Sequence, residues 1–115
     1  MNSALGLGQV AEFSFDKTTH KFPDVKEGVV LEHFFIVKNT GQVPLIFSDY
    51  KVACKCTKVE LPTQPILPGE EYKLLVTFDT KGKYYFQDRI IYLKANTKKE
   101  EHKLRIKVNV IPVNE

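Results

Sequence analysis

From Lys103 to Val110 the chain alternates without a break, with Leu104, Ile106, Val108 and Val110 set against Lys103, Arg105, Lys107 and Asn109. A period of two places all four apolar side chains on one face of a β-strand, whereas a helix would scatter them around its circumference. Tyr72, Leu74, Val76 and Phe78 repeat the pattern against Lys73, Thr77 and Asp79. Shorter or less regular apolar runs lie at Phe13 to Phe15, Thr19 to Phe22, Val29 to Lys38, Leu45 to Cys56 and Phe86 to Ala95. They recur about every ten residues and are separated by turn signals, at Asn39-Thr40-Gly41, Pro68-Gly69-Glu70, Lys81-Gly82-Lys83 and the polar stretch 96–101. No helical periodicity of useful length competes with them. The pattern predicts an all-β protein of about seven strands, packed as two antiparallel sheets with Greek-key connections.

Individual segments carry further expectations. Val29 to Lys38 is apolar on both faces, which predicts a central and well-covered strand. Leu45 to Cys56 reads as one long strand in which Ile46, Tyr50, Val52, Cys54 and Cys56 share a parity, with Ser48 marking a bulge. Ile90 to Leu93 is continuously apolar, so the inward face of Phe86 to Ala95 stays ambiguous. Pro62, Pro65 and Pro68 exclude a central strand between the cysteines and Pro68-Gly69. Gly41 is expected to supply a permissive φ, and Asn39 a side chain that satisfies backbone groups of the turn.

A chain of 115 residues is long enough for one self-sufficient domain, placed at 12–112 behind a flexible N-terminal segment, 1–11. No apolar run approaches the roughly 20 residues that a membrane helix requires, so no membrane insertion is expected. The net charge of +3 comes from 17 basic and 14 acidic residues that interleave, which gives no clustered basic surface for nucleic acid. Met1 to Val10 has neither the basic start nor the full apolar stretch of a secretory signal.

Enzyme chemistry finds little support. Glu70-Glu71 and Glu100-Glu101 are adjacent rather than face-sharing, and there is no phosphate-cradling glycine loop, nucleophile elbow or metalloprotease histidine pair. The reading is therefore not an enzyme and calls for no cofactor.

The chain's only two cysteines are the candidate metal or redox residues, Cys54 and Cys56. Along an extended strand residues i and i+2 lie about 6.6 Å apart with parallel Cβ vectors, so a disulfide requires the strand to bend there and would be easily reduced. As thiolates the pair suits a soft ion such as Cu(I) better than a structural zinc, which wants four ligands. His20, His33 and His102 are the only imidazoles able to complete such a site. His33 shares parity with Phe35 and Val37 and reads as a packed, hydrogen-bonded histidine, and His102 falls on the inward parity of the last strand. The plainer alternative makes both thiols small buried apolar groups at a sheet end. Tyr84, Tyr85 and Phe86 form a candidate contact patch for a protein or glycan; the competing reading has at least two of them covering the end of the sandwich. Lys103, Arg105 and Lys107 read as a solvated face or a charge-protected edge.

Taken in order, His33-Phe34-Phe35-Ile36-Val37-Lys38-Asn39-Thr40-Gly41-Gln42-Val43-Pro44-Leu45, Cys54-Lys55-Cys56-Thr57, Pro65-Ile66-Leu67-Pro68-Gly69-Glu70 and Phe78-Asp79-Thr80-Lys81-Gly82-Lys83 resemble the bacterial Domain of Unknown Function 1573 family. The resemblance spans roughly Phe13 to Val110. It implies an immunoglobulin-like β-sandwich related to the major sperm protein and ASH domains, and an extracytoplasmic, periplasmic or cell-surface location. It transfers no established activity. Two positions depart from the family pattern: Lys55 stands where glycine usually separates the cysteines, and Pro23 where glycine often follows the histidine and phenylalanine, here His20 and Phe22. A backbone needing positive φ would be strained at Lys55. The expectation is a monomeric, non-enzymatic module that contacts an unidentified protein or cell-envelope partner. The alternative is a copper-binding or redox protein built on Cys54 and Cys56.

Overall fold

A computed structural model describes residues 10–113; most of the expected flexible segment, 1–9, lies outside the described residues. Nine strands form among them: β1 (Phe13–Phe15), β2 (Thr19–Lys21), β3 (Val25–Lys26), β4 (Val30–Asn39), β5 (Phe47–Val52), β6 (Thr57–Glu60), β7 (Glu71–Asp79), β8 (Tyr85–Ala95) and β9 (Glu101–Ile111). One sheet runs β1-β4-β7-β6. The other runs β2-β9-β8-β5, with β3 also on β9. The two strands beyond the expected seven are short edge pieces, β3 and β6, and β6 ends at Glu60 before the proline-rich connection begins.

The regular alternations form the middle of each sheet. β7 pairs antiparallel with β4 from Val30↔Asp79 to Lys38↔Glu71, and β8 pairs with β9 from Tyr85↔Val110 to Lys94↔Glu101. Phe35, Val37, Leu74, Val76, Phe78, Ile91, Leu93, Leu104, Ile106, Val108 and Val110 close the core between the sheets. Each side chain of this size contributes about 1.5–3 kcal/mol on full burial. The ambiguous parity of β8 is settled by its partner: Ile91, Leu93 and Ala95 are buried, while Ile90 and Tyr92 are only partly so. Ala11, placed by the sequence before the domain, is buried, and its N–H donates to the Asn96 carbonyl.

Three expectations need correction. β4 is not covered on both faces: Val30 is 59% and Phe34 48% exposed, because among the described residues no further layer packs on the outer side of its sheet. The strand that carries the cysteines stops at Val52. A register shift between Phe47 and Asp49 puts the bulge at Ser48, and the bulge reverses the parity, so that Leu45 and Phe47 are buried ahead of it and Ile46 is exposed. Gly41 does not sit at positive φ; a Cβ there would lie 3.0 Å from the Glu12 backbone nitrogen, so the glycine permits a close approach instead. Gly69, with φ 84°, does need the left-handed region, as the third position of the Leu67-Pro68-Gly69-Glu70 turn closed by Glu70 N–H to Leu67 O at 2.9 Å.

Candidate functional sites

The cysteine segment is the corner at which the chain leaves one sheet for the other. β5 is the edge of its sheet and β6 the edge of the opposite one, and Ala53 to Cys56 bends between them. The bend shortens the Cys54–Cys56 Cα separation to 5.1 Å, and the two residues form a disulfide. Thr57 N–H donates to Cys54 O at 3.1 Å and Cys56 N–H to Cys54 Sγ at 3.1 Å. The side chains therefore do not continue a strand stripe, as a straight reading of Leu45 to Cys56 required. Lys55 fits the corner without positive φ, so its replacement of glycine strains nothing. In the disulfide state neither sulfur is a thiolate ligand, and no cluster of three potential metal ligands occurs among the described residues.

The imidazoles lie elsewhere in pairs of contacts that sequence reasoning left apart. His20 on β2 and His33 on β4 stack across the two sheets, with ring centroids 3.6 Å apart and planes 11° from parallel. Phe22 and Phe35 meet this stack edge-on. Burial holds both imidazoles below their ordinary pKa, followed for His20 by the Lys17 charge and for His33 by His20 itself, with Asp16 opposing. His102 packs on Phe13 at 4.6 Å with its Nε2 2.7 Å from Thr97 Oγ1, and burial and Lys99 lower it too. Stacked planes cannot aim both nitrogen lone pairs at one ion, so His20 and His33 form a packing contact.

Arg89 escaped sequence reasoning because the inward parity of β8, on which it falls, is set only by the fold. Its guanidinium lies 5.4 Å from the Phe78 ring centroid, while its Nε is buried without a hydrogen-bond partner. The Lys103, Arg105 and Lys107 row lies on an interior strand, since β2 and β3 cover the far side of β9. Arg105 pairs with Asp88 at 3.3 Å on the outer face.

The aromatic triplet does not cap the sandwich. Tyr84, Tyr85 and Phe86 are 52%, 67% and 57% exposed. By register Tyr85 faces the fully buried Val110, yet its φ of 65° makes it the only non-glycine residue at positive φ among the described residues. Strain of this kind persists only where the surroundings enforce it. Hydrogen bonds tie down the turn that precedes Tyr85 and its neighbour Tyr84. Thr80 Oγ1 accepts from Gly28 N–H at 3.0 Å and donates to Val29 O at 2.6 Å, Gly82 N–H donates to Glu27 Oε2 at 2.8 Å, and Gln87 Nε2 donates to Tyr84 O at 2.8 Å. The same end exposes Val29, Val30, Ile111 and Val113, so most of the large exposed apolar side chains gather there.

Two sheets over one core, a first strand that switches between them and a disulfide corner that joins their edges define an immunoglobulin-like β-sandwich. Within that class the chain belongs to the family described as a protein of unknown function (DUF1573), whose profile matches residues 13–110. No curated protein sequence matches it. Among solved structures, a protein of unknown function from Porphyromonas gingivalis W83 superposes with a TM-score of 0.78 at 15% identity over 92% of this chain. The chain spans 50% of that protein's length. The ASH / PapD-like domain of human CEP192 gives 0.64 at 13% identity, covering 92% of this chain and 88% of that one. The Escherichia coli chaperone DraB gives 0.57 at 16%, covering 90% and 56%. At these identities the likeness establishes the fold.

Proposed function

We propose that this domain is a non-enzymatic recognition module that works outside the cytoplasm and binds a protein partner through the end carrying Tyr84, Tyr85 and Phe86. The observation that carries the reading is Tyr85, held in a left-handed conformation and left exposed between two further exposed aromatics. Aromatic side chains bring large contact area with few rotatable bonds, and an interface built on them pays little ordering entropy. The Cys54–Cys56 bond suits an oxidising compartment. The similar sandwich of a chaperone, DraB, supports protein binding as a use of this architecture.

The test is affinity capture from solubilised envelope fractions with the wild-type domain and with a triple variant, Tyr84→Ser, Tyr85→Ser and Phe86→Ser, after circular dichroism has confirmed that both are folded. The expected result is loss of the captured partner from the triple variant and its retention by a Cys54→Ser, Cys56→Ser variant. Capture of the same partners by the folded triple variant would remove the aromatic end from the proposal.

A further inference from the structure

The first strand leaves part of β4 bare. β1 pairs with β4 only from Phe13↔Asn39 to Phe15↔Val37, and Asp16 then closes the ladder, its N–H donating to Ile36 O at 3.0 Å and its Oδ1 accepting from Ile36 N–H at 2.9 Å. Beyond that point the chain crosses to the other sheet as β2. Backbone groups of a strand point alternately to its two neighbours, so Ile36 fixes the rest: Val30, Glu32 and Phe34 direct their N–H and C=O groups to the side that β1 has vacated. The odd-numbered positions serve β7, as Val29 O accepting from Thr80 N–H shows. No described residue pairs with β4 on its vacated side along this stretch.

Bare edges are normally guarded by lysine, proline or a bulge. The other edges are: β5 has Lys51 and its bulge, β6 has Lys58 followed by Pro62, β2 has Lys21 and β3 has Lys26. The vacated run of β4 carries Val30 and Phe34, both exposed, and a single charge between them, Glu32, which makes no ion pair with the described residues. That one charge selects the occupant. A second copy could engage all three residues only in the antiparallel register that sets Val30 opposite Phe34 and Glu32 opposite Glu32, and like charges directly opposed are destabilising. A lysine or arginine in the centre of a different strand reverses the sign.

We infer that the Val30 to Phe34 edge of β4 is a strand-addition site for an extended segment of another protein, with a basic residue opposite Glu32 and apolar residues two positions to either side. The added strand continues the sheet where β1 would have run, and its alternate small residues turn toward Leu31 and His33. This edge meets the aromatic end at Val30, but Glu32 and Phe34 lie beyond it, and the Glu32 variant and the aromatic variants test the two surfaces independently.

The test uses the full chain, labelled with 15N, and an end-blocked heptapeptide, Ser-Val-Ser-Lys-Ser-Val-Ser, with a second peptide carrying glutamate in place of the lysine. The expected result is slowed hydrogen exchange at the Val30, Glu32 and Phe34 amides, with the lysine peptide bound about fivefold more tightly than the glutamate peptide at low salt. Glu32→Lys keeps the fold and inverts that preference. Three outcomes overturn the proposal: no binding at millimolar peptide, protection that maps to the β5 or β6 edge, or an unchanged preference in Glu32→Lys. Concentration-dependent protection of the same amides without peptide would also overturn it, by showing a second copy as the occupant.

Discussion

Asn39 offers the sharpest test of how this fold is held together. It ends β4 with 1% of its surface exposed, and its amide makes three hydrogen bonds to two pieces of chain. Nδ2 donates to Val43 O at 2.9 Å and to Ile66 O at 2.7 Å, and Oδ1 accepts from Gly41 N–H at 2.9 Å. The backbone of Asn39 adds two more bonds, to Glu70 O and from Gly69 N–H. Ile66 also exchanges both backbone bonds with Leu45, so the amide ties the end of β4 to the approach to β5 and to the proline-rich connection. Asn39→Ala removes three hydrogen bonds of about 1 kcal/mol each and leaves at least one buried carbonyl less satisfied, for a loss of about 3–4 kcal/mol. At roughly 4–8 °C per kcal/mol for a domain of this size, Tm falls by about 12–32 °C. Urea and thermal denaturation of the purified chain measure both quantities. Asn39→Asp separates shape from donors: it keeps an oxygen for Gly41 but turns a second carboxylate oxygen on two carbonyls, and it should be at least as damaging as alanine. Thr40→Ala, at an exposed neighbour, should stay within about 0.5 kcal/mol. A loss below about 1 kcal/mol for Asn39→Ala, or a fully stable Asn39→Asp, would refute the amide's role.

Acid should weaken the domain through its histidines. Because His20, His33 and His102 titrate below the ordinary value in the fold, the unfolded chain takes up protons first as pH falls, so stability is full above about pH 7 and declines below about 6.5. Urea midpoints at pH 8, 6.5 and 5 should show this fall in wild type, and His20→Gln with His33→Gln should leave only the part due to His102. Opening the Cys54–Cys56 bond frees a loop of only about three residues, for which chain entropy predicts a loss of about 1.6 kcal/mol; denaturation with and without reductant tests this, and a loss above about 4 kcal/mol would make the bond a main support of the fold. Tyr85→Gly should leave stability within about 1 kcal/mol of wild type, because relief of the left-handed backbone offsets glycine's added unfolded-state freedom.

How far the sequence reaches depends on whether a residue's environment is set by its neighbours along the chain. β7 and β9 were legible because strict alternation leaves one self-consistent face, and Leu74, Val76, Phe78, Leu104, Ile106, Val108 and Val110 are all buried. β4 was misread for the converse reason: apolar residues on both faces mean burial only if a second layer exists, and layers are not encoded locally. Phe34 and Val30 look like core in sequence and stand in solvent in the fold. The cysteines show the same limit in another form, since the strand rule forbade a relaxed bridge but the chain turns a corner there, and a corner follows from which sheets β5 and β6 join. The His20–His33 stack and the Arg89 contact with Phe78 each join different strands, so no window along the chain contains them. What sequence did convey at the candidate sites was residue type. Three consecutive aromatics beside a turn are compatible with a cap or a contact, and the fold excludes the cap by leaving all three rings exposed, Tyr85 at positive φ. Misplaced apolar residues therefore become informative in the fold: those whose sequence pattern predicts burial and whose structure denies it, Val30 and Phe34, are the ones on which the strand-addition proposal rests.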